Sequence, residues 1–227
     1  MTPGARWLCS VAHVPSYVVR VWLPDRPGAL GQVASRVGAV QGDVVGIEIL
    51  ERGGGSAIDE LRVDLPDDSL VDLLVNEIRQ VDGVAVEDIR PVAPERLDGA
   101  LGTLATATAI VSAAPAQRLQ VACDQLRDLL DGDWASALDP VSAEPVASSG
   151  AMPDLGWLAA FLAGSDHLEG EHAHSPGDLA WAKVPRHGIT LVCGRSGRVF
   201  HAREREEFRL LGAIVDAIDP AVVGVHP

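Results

Sequence analysis

The chain has 227 residues, 47% of them apolar, and a formal net charge of −14 from 18 Lys+Arg against 32 Asp+Glu. That apolar fraction builds real cores and excludes a disordered chain, and the length suits one large domain or two small ones. The acidic balance argues against direct binding to nucleic-acid phosphates or anionic membranes.

Tyr17 to Leu23 alternates β-formers and reads as a strand, and Pro24 and Pro27 bracket the turn Asp25-Arg26-Pro27-Gly28. Leu30, Val33, Ala34, Val37 and Val40 then recur at helical spacing, and Gly42 ends that helix. Val44 to Leu50 is predicted as a second strand and Ala57 to Leu65 as a third, joined by the flexible Glu51 to Ser56 hairpin. In the third strand Ala57, Leu61, Val63 and Leu65 share one face, and Glu60, Arg62 and Asp64 the other. Asp67-Asp68-Ser69 supplies a helix cap, Leu70, Leu74, Ile78 and Val81 line the buried face, and Val84 to Ile89 is a fourth strand.

The order β-α-β-β-α-β predicts a ferredoxin-like α+β module with two helices on one face of a four-stranded antiparallel sheet. Val18, Val45 and Ile47 suggest an apolar open face that a second sheet covers. The strand-to-helix corner points unpaired amides and a helix dipole at whatever lies beyond it, an arrangement suited to a carboxylate.

The run Leu23-Pro24-Asp25-Arg26-Pro27-Gly28-Ala29-Leu30, with the helix, Gly42 and a Val/Ile-rich strand behind it, resembles the ACT domain over roughly residues 15–93. The resemblance implies a regulatory module that binds an amino acid, often across a pair of such domains. It implies that Gly28 admits a ligand to the backbone, with the amides of Ala29 and Leu30 facing it and Asp25 and Arg26 beside them. Asp43 and Val44 fall where the family completes its pocket, but Val44 stands where many amino-acid-binding members carry Asn. Either Asp43 supplies the polar contact or the pocket no longer takes a polar amino acid. The corner also reads as a plain tight turn in a dimerising module.

Residues 94–100 read as a linker around Pro94. Beyond it, helices are predicted over Leu101 to Ala114 and after Pro115, where Leu119, Ala122, Leu126, Leu129 and Leu130 form an apolar face. Strand-like runs follow at Trp134 to Leu138, Pro145 to Ser148, Leu179 to Val184 and Ile189 to Cys193, with a short helix near Leu155 to Leu162 and a closing helix at Ala202 to Ile218. Leu191 to Arg195, then Val199-Phe200, then the Arg/Glu-rich start of the last helix resemble the close of a GAF domain. That resemblance covers roughly residues 101–218 and implies a second regulatory α+β domain with a central antiparallel sheet.

Cys9, Cys123 and Cys193 are far apart and form no CxxC, which fits a reducing compartment. No leader or membrane-length apolar run is visible, so a cytoplasmic location is expected. Asp166 to His174 is dense in metal-ligand types but reads as an acidic loop. Cys193 reads as a buried strand residue rather than a redox thiol, and the Arg195/Arg198 and His187 turns as solvated tips. No nucleophile triad, Walker loop or dinucleotide fingerprint appears, and no metal or cofactor is expected. The expected protein is therefore a non-catalytic sensor of a small metabolite, an amino acid above all, acting as a homodimer. The alternatives are a ligand-free dimerising module and a metal- or thiol-dependent enzyme.

Overall fold

In the computed structural model the described residues are 14–142, 144–165 and 177–218. They divide into two compact units, Met1–Arg96 and Leu97–Pro227.

The first unit contains β1 (Ser16–Pro24), α1 (Ala29–Ala39), β2 (Asp43–Gly53), β3 (Ser56–Asp64), α2 (Val71–Ile78) and β4 (Ala85–Val92). All pairings are antiparallel and the sheet order is β2-β3-β1-β4, the ferredoxin-like arrangement. Strand periodicity sends Tyr17, Val19, Val21 and Leu23 of β1, with Leu61 and Val63 of β3, against Ala29, Val33 and Val37 of α1 and Leu74 and Ile78 of α2. Asp67 caps the turn before α2 by accepting the Ser69 amide at 2.8 Å. At the end of α1 the left-handed residue is Gln41 (φ 61°), and Gly42 donates to the Val37 carbonyl at 3.0 Å. Gly42 is needed for space, since a Cβ there would lie 3.0 Å from Leu65 and Val37.

The opposite sheet face carries Val18, as expected, with Ile58 and Trp22, but not Ile47. Ile47 pairs with Leu61 and so shares the helix face, while Val45 sits at a register shift of the edge strand. The face also carries ion pairs: Arg20 Nε meets Glu60 Oε2 at 2.6 Å, and Arg90 meets Glu60 at 3.4 Å and Asp88 at 2.8 Å. Trp22 Nε1 donates to Glu87 at 2.6 Å on the same strands.

The second unit contains α3 (Gly99–Ser112), α4 (Arg118–Leu129), β5 (Trp134–Leu138), β6 (Pro145–Gly150), α5 (Leu155–Ser165), β7 (Leu179–Val184), β8 (Ile189–Gly194) and α6 (Ala202–Ala217). Its antiparallel sheet runs β6-β5-β8-β7. Ala135, Ala137, Ala182, Leu191 and Cys193 pack with α3, α4 and α6, and Trp134, Leu138, Leu179 and Val192 pack with Leu158 of α5. The sheet is thus buried on both faces, which explains strands that read as almost continuous apolar runs. At the close of the sheet, Arg195 and Glu204 form a buried ion pair at 2.7 Å, and the Arg195 guanidinium also donates to the Leu130 carbonyl at 2.8 Å.

Candidate functional site

The corner that follows β1 is a short series of backbone constraints. The Asp25 amide donates to the Gly55 carbonyl at 3.0 Å, which ties the corner to the β2–β3 hairpin. The Arg26 amide closes onto the Pro24 carbonyl at 2.8 Å, and the Gln32 amide onto the Gly28 carbonyl at 3.0 Å. Gly28 is the N-cap of α1 at φ 87°, a conformation that glycine adopts without steric cost. A Cβ at Gly28 would meet nothing within 4 Å, so the space outside it is open. α1 has no side-chain cap hydrogen bond and no acidic residue in its first turn. Asp25, Arg26 and Gly28 are exposed around that end, Leu30 is half-buried and Ala29 is buried in the core.

Asp43 and Val44 do not join this corner within one unit. Pro24 pairs with Ser56, and Ser56 with Gly53, at one end of the sheet; Ser16 pairs with Asp64, and Asp64 with Asp43, at the other. The eight residue steps from Ser16 to Pro24 make that separation about 25 Å at the usual rise of a strand. The reason is topological: α1 carries the chain back along the sheet before β2 begins. Val44 packs against the helix-side core, so it offers no side chain to a ligand beyond the sheet.

A residue absent from the sequence reading stands near the corner. Asp59 is 3% exposed on the helix face of β3, between Val21 and Ile49 across the sheet. Its Oδ1 is buried with no hydrogen-bond partner. Desolvation raises its pKa, the Arg52 charge lowers it, and the Asp25 charge raises it again. The signal was visible in the parity of β3, where Asp59 interrupts the apolar face between Ala57 and Leu61.

The other candidates resolve into structure. Burial pushes the Cys123 and Cys193 thiols up to about 12, opposite to what a reactive thiolate requires. Arg195 is buried against Glu204 rather than solvated at a turn. Arg186 donates to the Ala217 carbonyl at 2.9 Å and His187 Nε2 lies 3.0 Å from the Ile218 carbonyl, both at the end of α6. The His167 to His174 segment lies outside the described residues. Among the described residues no group of three or more His, Cys, Asp or Glu is placed to hold a metal, and no helix is long and apolar enough to cross a membrane.

The first unit thus presents a strand-to-helix glycine corner in a β-α-β-β-α-β module. Residues 17–83 match the family model of the ACT domain, so the first unit contains an ACT domain. No curated protein matches the chain. Among solved structures, the ACT domain of GTP pyrophosphokinase from Chlorobium tepidum is 15% identical, covering 35% of this chain and 100% of that one at a TM-score of 0.29. A formyltetrahydrofolate deformylase from Pseudomonas putida is 16% identical, covering 39% of this chain and 36% of that one at a TM-score of 0.29. An unknown protein from Galdieria sulphuraria is 15% identical, covering 90% of this chain and 92% of that one at a TM-score of 0.32.

Proposed function

We propose that the chain is a non-catalytic regulatory protein whose ACT domain binds a small amino-acid-like metabolite at the Gly28 corner. The observation that carries this reading is the uncapped, open N-terminus of α1 at Gly28. Such an end favours a ligand carboxylate held by backbone amides. Asp59 adds a buried negative group on the same side of the sheet, a partner for the ligand's ammonium.

Asp43 enters this site only from a second copy, because within one unit it lies at the far end of β2. The reading is therefore of a homodimer in which Asp43 of one protomer faces the Gly28 corner of its partner. The C-terminal unit is read as a GAF-like companion domain, supported by its antiparallel sheet packed on one face by α3, α4 and α6.

A thermal-shift screen of the amino acids tests the reading, since a ligand of the native state stabilises it in proportion to its occupancy. One or a few of them are expected to raise the midpoint with concentration. Gly28→Val and Asp43→Ala should each abolish the effect, and a mixture of the two variants should restore it in part through hybrid dimers carrying one intact site. Absence of any stabilising amino acid would leave the ligand-free dimerising module as the better reading.

A further inference from the structure

α3 departs from the usual form of a surface helix, which is apolar on one side and charged on the other. Its inner side, at Thr106 and Ile110, is buried where it packs on α4 and α6. Its outer side is apolar too. Leu101, Leu104 and Val111 are exposed there, Leu104 at 64%, and Leu97 extends the row just before the helix. With Thr108, positions 97, 101, 104, 108 and 111 follow steps of four, three, four and three, the spacing of a helix–helix seam. We propose that this stripe is a self-association seam, in which α3 of one copy packs antiparallel against α3 of a second copy.

Charge and shape choose that occupant. Residues 99–117 contain no charged side chain, in a chain whose net charge is −14. Two such chains repel over most of their surface, and α3 lets them touch without bringing like charges together. A partner recognised through its own charge would find none on α3 to answer it. A two-fold axis through Leu104 sets that side chain against its own copy and Leu101 against Thr108, so the stripe is complementary to itself. The exposed flanking residues Ala100 and Ala105 are small and permit close approach of the two helices. The Thr108 hydroxyl already donates to the Leu104 carbonyl at 2.8 Å, so its burial strands no polar group. Asp98 sets the direction. It caps α3 by accepting the Leu101 amide at 2.9 Å, and a parallel pair would bring two such carboxylates together. In an antiparallel pair each lies beside the uncharged end of the partner helix.

The size of the seam sets its strength. α3 has 14 residues. A helix of that length is about 21 Å long and 10 Å wide, which is less than a standard interface of roughly 800 Å² a side supplies. The seam is therefore weak alone and closes within the homodimer proposed above, on which this inference rests. Once two ACT domains are paired, their α3 helices are tethered and meet at high effective concentration.

The test uses the full chain with Cys9→Ser, whose other cysteines, Cys123 and Cys193, are buried. Leu104→Cys should give a disulfide-linked dimer on mild oxidation with copper phenanthroline, and Leu210→Cys, at an exposed leucine of α6, should not. Chains with Leu101→Cys and with Thr108→Cys should cross-link to each other faster than either does to itself. In the otherwise native chain, Leu104→Lys should raise the dimer dissociation constant about tenfold or more in sedimentation, with an unchanged circular dichroism spectrum. If the wild type is dimeric, absence of either the Leu104→Cys cross-link or the sedimentation shift overturns the seam and leaves the ACT-paired homodimer standing. A wild type that is monomeric at every concentration overturns both. Faster linkage of Leu101→Cys to itself overturns the antiparallel arrangement.

Discussion

Asp59 offers a quantitative test of whether the ACT unit carries a destabilised binding group. Its carboxyl is 3% exposed, one oxygen has no donor, and burial raises its pKa. An acid whose pKa rises on folding holds its proton more tightly in the native state. Its contribution to stability is therefore fully present below the unfolded value and is lost as pH rises through the folded pKa. At neutral pH the wild-type chain carries the cost of an unsatisfied buried group, about 1–3 kcal/mol. Asp59→Asn keeps the shape and removes the charge, so it should recover a good part of that cost at pH 7 and progressively less toward pH 4. For a melting unit of about 100 residues, 1 kcal/mol moves the midpoint by roughly 4–8 °C. The assay is the difference between variant and wild-type stability in urea from pH 4 to pH 8, which cancels every other titrating group. The same variant should lose affinity for any amine-bearing ligand of the corner. A variant that is less stable than wild type at pH 7, or a difference independent of pH, would refute the reasoning. Either outcome would show that a donor, such as Arg52, holds the carboxylate in solution.

Two further predictions concern the second unit. Glu204→Ala leaves the Arg195 guanidinium buried without its carboxylate and removes the acceptor of the His201 amide at the start of α6. A loss of about 3–5 kcal/mol is expected in chemical denaturation. Gly150→Ala should be far more costly than Gly54→Ala, although both positions have positive φ, at 82° and 59°. A Cβ at Gly150 would lie 2.1 Å from the Asp133 carbonyl oxygen, whereas one at Gly54 meets nothing within 4 Å. The Gly54 variant should lose about 1 kcal/mol; the Gly150 variant should lose at least twice that, and equal losses would refute the steric argument.

Much of the fold was legible because burial is one-sided in the first unit. β1 and β3 present apolar residues to α1 and α2 at period two, and the helices answer at period 3.6, so the order of elements follows from spacing alone. The second unit was harder to read because α3 and α5 are apolar nearly all round and β5 and β8 are buried on both faces. The Gly28 corner was legible for a local reason, since Pro and Gly constrain their own backbone. The relation of Asp43 to that corner was not, because it depends on which end of the sheet α1 returns to. Asp59 is a lone acid among the apolar positions of the helix face of β3, and period-two spacing by itself does not tie it to the corner.

The sheet of the ACT domain constrains how two copies would meet in the proposed homodimer. Arg20 is 2% exposed and held by Glu60, and Arg90 bridges Glu60 and Asp88. Exposed apolar side chains lie on β2 as well, at Val45, Ile47 and Ile49, and β2 is an edge strand of the sheet. Edge strands invite pairing with another chain. Two β2 strands paired antiparallel about a two-fold axis set Asp43 of one copy opposite Gly53 of the other, at the end of the sheet where the Asp25 amide meets Gly55. The same pairing that covers the apolar edge thus completes the proposed site. Ile47 is 46% exposed and lies opposite Ile49 of the other copy in this register, so Ile47→Lys leaves the unit's own core intact while placing a charge against an apolar side chain, with the two lysines diagonal to each other across the pairing. Sedimentation should show a monomer with an unchanged monomer fold, and the amino-acid thermal shift should disappear with the dimer. A variant that stays dimeric, or a monomer that still binds with full affinity, would separate the site from the β2 edge and refute this geometry.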